Sequence, residues 1–414
     1  MSTGIYTRLS VMMFLEFFIW GAWFVTMGSY LTGGLQFSDP ESALAYSTQS
    51  WGAIIAPFII GLIADKYVNA ERLLGVIHLI GAVLMYLLAN ATEFSAFYPY
   101  LLVYMILFMP TLALVNAISF RQLDDPSRRF GLIRVWGTLG WIIAGLLISY
   151  AFDWDSQTAL LRNTFTMAAA ASAVLGIFSF TLPATPPQKP GGGGLREALG
   201  LDALALLRDR NFLTFFVASI LVCIPLAFYY QHANQFLTEI QVANAAGIQT
   251  LGQVSELGFM VLLPFFLKRF GMKLTLLVGM LAWAARYVLF AYGDPGELVF
   301  MLIAGIALHG VCYDFFFVSG QVFTDSKAGL RYKSAAQGLI TLATYGVGML
   351  IGFWVAGQLT SAFAVDAGGH DWRSIWLYPA AFAGLVAVLF ALLFRNEVVA
   401  YKPAPTGTPA RDHG

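Results

Sequence analysis

The chain has 414 residues, of which 58% are hydrophobic and 11% charged, with 23 basic and 23 acidic side chains. Soluble domains carry about 25% charged residues, so a soluble enzyme, a nucleic-acid binder and a disordered chain are all excluded. The net charge is zero and says nothing about partners.

A helix needs about 20 apolar residues to cross about 30 Å of hydrocarbon. Twelve such runs follow one another along the chain. The first six lie near 9–32, 45–64, 72–90, 95–119, 131–151 and 160–182. The second six lie near 211–236, 247–267, 273–292, 297–320, 334–359 and 374–395. The first run is too long for a cleaved signal, and no small-residue cleavage site follows Tyr30. An even count puts both termini on one side. Segments on that side then hold 19 of the 23 Lys and Arg, from Arg8 and Lys66 to Lys402 and Arg411. The opposite loops carry mainly acids, among them Asp39, Glu41, Asp153, Asp155, Glu239 and Asp371. The positive-inside rule therefore predicts cytoplasmic termini. The expected fold class is an all-α membrane protein with twelve transmembrane helices.

A charge near the bilayer centre costs about 2.5–3.5 kcal/mol on insertion scales, so such residues are functional by default. In the first run Glu16 shares a stripe with Trp20 and Trp23. The third run holds His78. Arg134 lies near the inner end of the fifth, and Thr138 and Trp141 continue its face at i+4 and i+7. The seventh reads PLAFYYQHANQF, with Tyr230 and Asn234 one turn apart and Gln231 beside them. In the eighth, Gln253 and Glu256 share a face at i,i+3. Glu256 lies roughly 13 Å from the outer surface at about 1.5 Å of rise per residue. In the tenth, His309 and Tyr313 are i,i+4, with Asp314 on the adjacent face. His309 is about 18 Å deep by the same rise. Arg286 in the ninth run is expected to be structural, through a pair or by snorkelling. His78 has the same expectation. Aromatic faces stack on flat rings, while amides and carboxylates read hydroxyls and ring nitrogens. Most of the 35 Phe are packing or lipid-facing residues, but those one turn from a buried acid or amide are site candidates. Carboxylates far from water and without a cation suit proton coupling, which nominates Asp314, Glu256 and Glu16.

The longest polar segment starts LPATPPQKPGGGG after the sixth run, a linker composition. It divides the chain into a six-helix unit over 1–182, a cytoplasmic linker over 183–210, a second unit over 211–400 and a tail over 401–414. After the second run the chain reads GLIADKYVNAER, and after the eighth PFFLKRFGMK. Gly61, Asp65 and Lys66 match the start of the major facilitator loop signature, with Gly271 and Lys273 at corresponding places later. The chain thus resembles a major facilitator with 6+6 pseudo-symmetric halves. That resemblance implies a gating role for Asp65 and Lys66 at the inner helix ends.

Other stretches are more specific: WGAWFVTMGSY at 20–30, MPTLALVNAISF at 109–120, IRVWGTLGW at 133–141, QVSE at 253–256 and YDFFFVSGQVF at 313–323. On these the chain resembles the bacterial nucleoside:proton symporters of the nucleoside-permease and xanthosine-permease type. The resemblance implies proton-driven nucleoside uptake across the inner cell membrane. It places Arg134, Thr138, Trp141, Gln253, Glu256 and Tyr313 at the substrate, with Asp314 beside them. The family's seventh helix carries amides one turn apart, where this chain has Ala227 and Tyr230, with Gln231 and Asn234 nearby. Another hydroxylated solute, such as a sugar, is the alternative cargo. A membrane enzyme is disfavoured, because five scattered His and two isolated Cys, Cys223 and Cys312, offer no nucleophile–base pair or metal cluster. No nucleotide-binding P-loop occurs. The expected partners are nucleoside, protons and lipid. No cofactor, metal or nucleic acid is expected, and a monomer suffices.

Overall fold

In a computed structural model, residues 3–59, 67–123, 126–187, 201–366 and 368–396 are described. Among them there is no strand, and the helices divide into twelve spans. The first six are α1 (Thr3–Gly34), α2 (Asp39–Ile59), α3 (Ala70–Asn90), α4 (Phe94–Gln122), α5 (Arg129–Ala151) and α6 (Arg162–Ser179). After α7 (Arg210–Glu239), a continuous helix over Ala245–Tyr292 is broken at Gly271, whose φ is 77°. That positive φ costs a glycine little and most side chains much, so α8 (245–270) and α9 (272–292) are separate spans. Gly329, with φ 58°, likewise separates α10 (Val299–Gly329) from α11 (Ala335–Ala362). The last span is α12 (Trp372–Leu393).

The twelve expected spans are therefore all present, and α8 runs a few residues past its expected end through Lys268 and Arg269. Residues 188–200 and 397–414 lie outside the described part, as do Asp65 and Lys66. The end of the expected linker is not plain coil: Leu201–Arg208 forms a 3-10 helix. Its Ala203 is fully buried against Ala328, Ala335, Ala336 and Leu339 at the α10–α11 turn. The apolar run LDALALL explains why this part folds back.

Lipid tails are as apolar as leucine, so helices associate through close packing and small residues rather than hydrophobic force. α3 and α6 meet this way, through Gly75 against Phe180 and Gly176 against Leu79. α1 lies against α5, where Gly21 faces Trp141 and Gly137 faces Phe17. Within the first half α2 also packs on α4, and within the second α9 packs on α12 and α7 on α11. Between the halves α2 meets α11, α5 meets α8, and α1 meets α7.

Several hydrogen bonds between described residues cross from one half to the other on the side away from the termini, here called the far side. Ser29 Oγ donates to Asn234 Oδ1 at 2.6 Å. The Asp155 carboxylate accepts from Ala246 N at 3.1 Å, and Ser149 Oγ from Gly247 N at 2.7 Å. Tyr46 stacks on Phe353. The far side is closed.

Two expected placements change. Arg286 does not snorkel, and it meets no carboxylate among the described residues. It is 0% exposed, with its guanidinium 4.2 Å over the Tyr229 ring and 5.0 Å from that of Trp283. Its Nε donates to Gly305 O at 3.0 Å. Flat π faces supply much of what a carboxylate would. Trp23 lies inside the first half against Tyr104 and Phe165, on the helix face that also turns Glu16 into that half.

Candidate functional site

A cavity of about 610 Å³, counting the open solvent space at its mouth, lies between the halves near mid-span. The first half contributes Phe17, Trp20 and Phe24 from α1, Gln49 from α2, and Arg134, Thr138 and Trp141 from α5. The second contributes Tyr230 from α7, Gln253 and Glu256 from α8, His309 and Tyr313 from α10, and Tyr345 from α11.

Local packing places each wall. Close contact of α1 with α5 brings Trp20 edge-on to Trp141 at 5.6 Å. It also sets the Arg134 guanidinium 4.1 Å over the Phe17 ring. On the other wall α10 is interrupted at Leu308, and Ser255 of α8 fills the gap. Ser255 Oγ donates to Ala307 O at 2.6 Å and accepts from Gly310 N at 2.9 Å. Gly310 has no side chain, so α10 lies directly on the α8 backbone. This contact holds His309 Nε2 3.8 Å from Glu256 Oε2. The His309 ring stacks between Tyr229 at 5.5 Å and Tyr313 at 5.9 Å.

Of the π-helical turns in the cavity helices, two carry cavity residues, Tyr313–Val318 in α10 and Leu342–Gly348 in α11. Such turns often mark functional sites. Here they carry Tyr313 and Tyr345, whose hydroxyls lie 3.3 Å apart. Buried polar atoms normally find partners. Around this cavity several have none among the described residues: Arg134 NH1, Gln49 Oε1, Trp20 Nε1 and His309 Nδ1. The site is an aromatic box with unspent donors and acceptors, which suits a flat ligand bearing polar groups.

Eight of the ten expected substrate residues line this cavity: Arg134, Thr138, Trp141, Tyr230, Gln253, Glu256, His309 and Tyr313. Gln231 and Asn234 do not. Asn234 sits nearer the far side, accepting from Ser29 and donating to Gln249 Oε1 at 2.7 Å. Gln231 is fully buried, and its amide has no partner among the described residues. Asp314 is fully buried behind Tyr313, and neither carboxyl oxygen has a hydrogen-bond partner among the described residues. Glu16 lies within the first half. Its carboxylate meets His78 Nε2 at 2.8 Å and accepts from Thr111 Oγ1 at 2.5 Å. His78 Nδ1 in turn meets Ser172 Oγ at 3.1 Å, so these groups pin α1, α3, α4 and α6 together. The cavity residues that sequence reasoning missed are Phe17, Phe24, Gln49 and Tyr345. The polar run STQS at 47–50 was a visible signal for Gln49.

The protein shares 44% identity over 412 residues with YegT of Escherichia coli (strain K12), covering 95% of this chain and 96% of that one. It shares 36% identity with the xanthosine permease of the same organism, over 94% and 95% of the two chains. The fold superposes on the crystal structure of the nucleoside transporter NupG with a TM-score of 0.86 and 31% identity. That match covers 95% of this chain and all of the other. Residues 1–398 match the model of the nucleoside H+ symporter family, and the chain belongs to that family.

Proposed function

We propose that the protein imports nucleosides by proton symport, through alternating access of the central cavity to the two sides of the inner cell membrane. One observation carries this reading: aromatic rings from both halves wall a cavity in which Arg134 and Glu256 face from opposite halves. Trp20, Trp141, Tyr230 and Tyr313 offer faces and edges to a nucleobase. Gln253 and Glu256 are suited to ribose hydroxyls, and His309 to either part. Arg134 supplies a cation across from Glu256.

The termini are cytoplasmic in this reading, so the closed far side is the outside and the conformation is inward-facing. Glu256, its side chain 12% exposed, then meets the inner solution. A carboxylate is costly to bury unless paired or neutralised. Asp314, buried and unpartnered among the described residues, is the principal proton carrier, with Glu256 sharing the task. Glu16 is committed to His78 and Thr111 and holds the first half together instead. The proton gradient is the energy source and no cofactor takes part. A single chain in the bilayer is the working unit.

The test is radiolabelled uridine accumulation in cells lacking their own uptake, with unlabelled nucleosides, bases and sugars as competitors. Competition by nucleosides alone supports the reading. Competition by sugars with none by nucleosides overturns the cargo.

A further inference from the structure

On the far side, a tight turn between α11 and α12 projects one histidine between the halves. Val365 N donates to Gly369 O at 3.1 Å, and Asp371 N to Phe363 O at 2.9 Å, forming a short hairpin. His370 pairs across it with Ala364. Gly369 has φ 93°, and a Cβ there would meet Glu239 Oε2 at 3.4 Å, so the turn can lie close to α7.

Both ring nitrogens of His370 face carboxylates. Nε2 lies 3.1 Å from Asp39 Oδ2, and Nδ1 lies 3.0 Å from both Glu239 oxygens. Neutral imidazole has one N–H, while the imidazolium has two. Only the charged ring satisfies this geometry, since a neutral ring would turn a bare nitrogen lone pair on a carboxylate. Asp39 belongs to the first half, whereas His370 and Glu239 belong to the second. Glu239 is further held within its own half by Trp372 Nε1 at 2.8 Å and Gln235 Nε2 at 3.1 Å. Asp39 is therefore the member that couples this cluster across the halves.

We propose that His370 is a proton-binding site, and that with its proton bound it latches Asp39 to Glu239 and holds the far side closed. The inference rests on the alternating-access reading and adds to it a titrating site outside the central cavity.

The other charged groups nearby are engaged elsewhere. Glu41 on α2 accepts from Ser38 at 2.8 Å. Asp371 accepts from Ser374 N at the start of α12. The Arg373 guanidinium lies over Tyr292 at 4.7 Å. Deeper on α7, His232 is bonded to Gln235 and Thr360. Asp366 is exposed on the same turn. Burial by itself would pull the His370 imidazole down, but hydrogen bonds and charge from Asp39 and Glu239 outweigh it and hold it at about 9. A raised value means that the latch is fully present below the ordinary histidine range, near 6.5, and is lost as pH rises through about 9. The latch is thus closed at neutral pH and released in alkali.

The test uses the full chain in nanodiscs, with spin labels at Gln157→Cys and Ala243→Cys, exposed far-side positions in opposite halves. Pulsed electron resonance then reads the distance between them. In otherwise wild-type protein the long-distance fraction should rise on the order of seventyfold relative to the short one between pH 7 and pH 10, since a ring held at about 9 when latched and near 6.5 when released favours release by that factor over this range. His370→Gln should remove that response. Asp39→Asn should open the far side already at pH 7. His370→Arg, whose charge does not titrate in this range, should keep it closed at pH 10. A pH response unchanged in His370→Gln, or none in the parent protein, overturns the latch. Because the readout is distance, the latch can stand or fall independently of which cargo the uptake assay finds.

Discussion

Gly310 is where the cavity's second wall is most sensitive. A Cβ built there would lie 2.6 Å from the Ser255 carbonyl atoms and 2.7 Å from Glu256 N. Ordinary carbon contacts begin near 3.4 Å, so Gly310→Ala forces α10 away from α8 by about 0.8 Å. The obstructing atoms are backbone, which cannot rotate aside. Overpacking of this kind costs about 1–3 kcal/mol. If that strain is relieved by moving α10, the gap of 3.8 Å between His309 Nε2 and Glu256 Oε2 widens. The cost then falls on substrate binding. Between 1 and 3 kcal/mol corresponds to roughly 5- to 150-fold in affinity. Gly258, two residues beyond Glu256, has nothing within 4 Å of its would-be Cβ and serves as the control. We expect Gly310→Ala to reach the membrane, to bind uridine at least fivefold more weakly by calorimetry, and to accumulate correspondingly less. Gly258→Ala should match the parent protein in both. Equal binding by the two variants would show that the α8–α10 contact does not set the site.

A protonophore should abolish concentrative uptake, and accumulation that survives it and follows sodium would refute proton coupling. Arg134→Ala should lose uptake while the protein still reaches the membrane, since Arg134 faces the cavity with an NH1 that has no partner among the described residues; normal uptake would remove it from the site. Asp314→Asn should still bind uridine yet fail to accumulate it. Glu256→Gln should weaken binding itself by roughly tenfold or more, at about 1.5–3 kcal/mol for a hydrogen bond to a charged group. The reverse pattern would exchange the two roles.

The spans and most of the cavity were legible because membrane helices advertise themselves by length and by out-of-place charge. Helical spacing also ties residues to a common face. Arg134, Thr138 and Trp141 share a stripe in the sequence and share the cavity wall in the fold. The same reasoning misplaced Asn234. It shares a stripe with Tyr230, but one turn is about 6 Å of axial rise. That step carries it out of the cavity and into the hydrogen-bond layer with Ser29 and Gln249. Periodicity fixes a face and not a depth, and the depth of a site is set by where helices touch. Glu16 shows a second limit. A buried acid reads as functional until its partner is known, and His78 lies 62 residues away on another helix. Tyr345 was hidden because its direction depends on a π turn in α11, which the sequence does not announce.

The far-side cluster and the central cavity meet on α7. Glu239, Gln235 and His232 fall at steps of four and three, on one stripe of that helix. They are joined in order, Gln235 donating to Glu239 at 3.1 Å and His232 Nδ1 meeting Gln235 Oε1 at 3.0 Å. His232 is tied onward to Thr360 of α11. About two and a half turns below Glu239 the same helix carries Tyr230 into the cavity and Tyr229 against His309. The distance is nine residues, or about 13 Å at helical rise. A helix bonded along one stripe moves as a rod rather than bending locally. Freeing α7 at Glu239 therefore also frees the tyrosine wall of the cavity. Conversely, a ligand that draws Tyr230 toward Trp20 and Phe24 bears on the outer contacts of Glu239. Linkage of this kind is reciprocal in free energy, so Asp39→Asn should change nucleoside affinity even though Asp39 lies outside the cavity. Calorimetry on that variant reads it directly, and an affinity equal to that of the parent protein would mean that α7 does not couple the two sites.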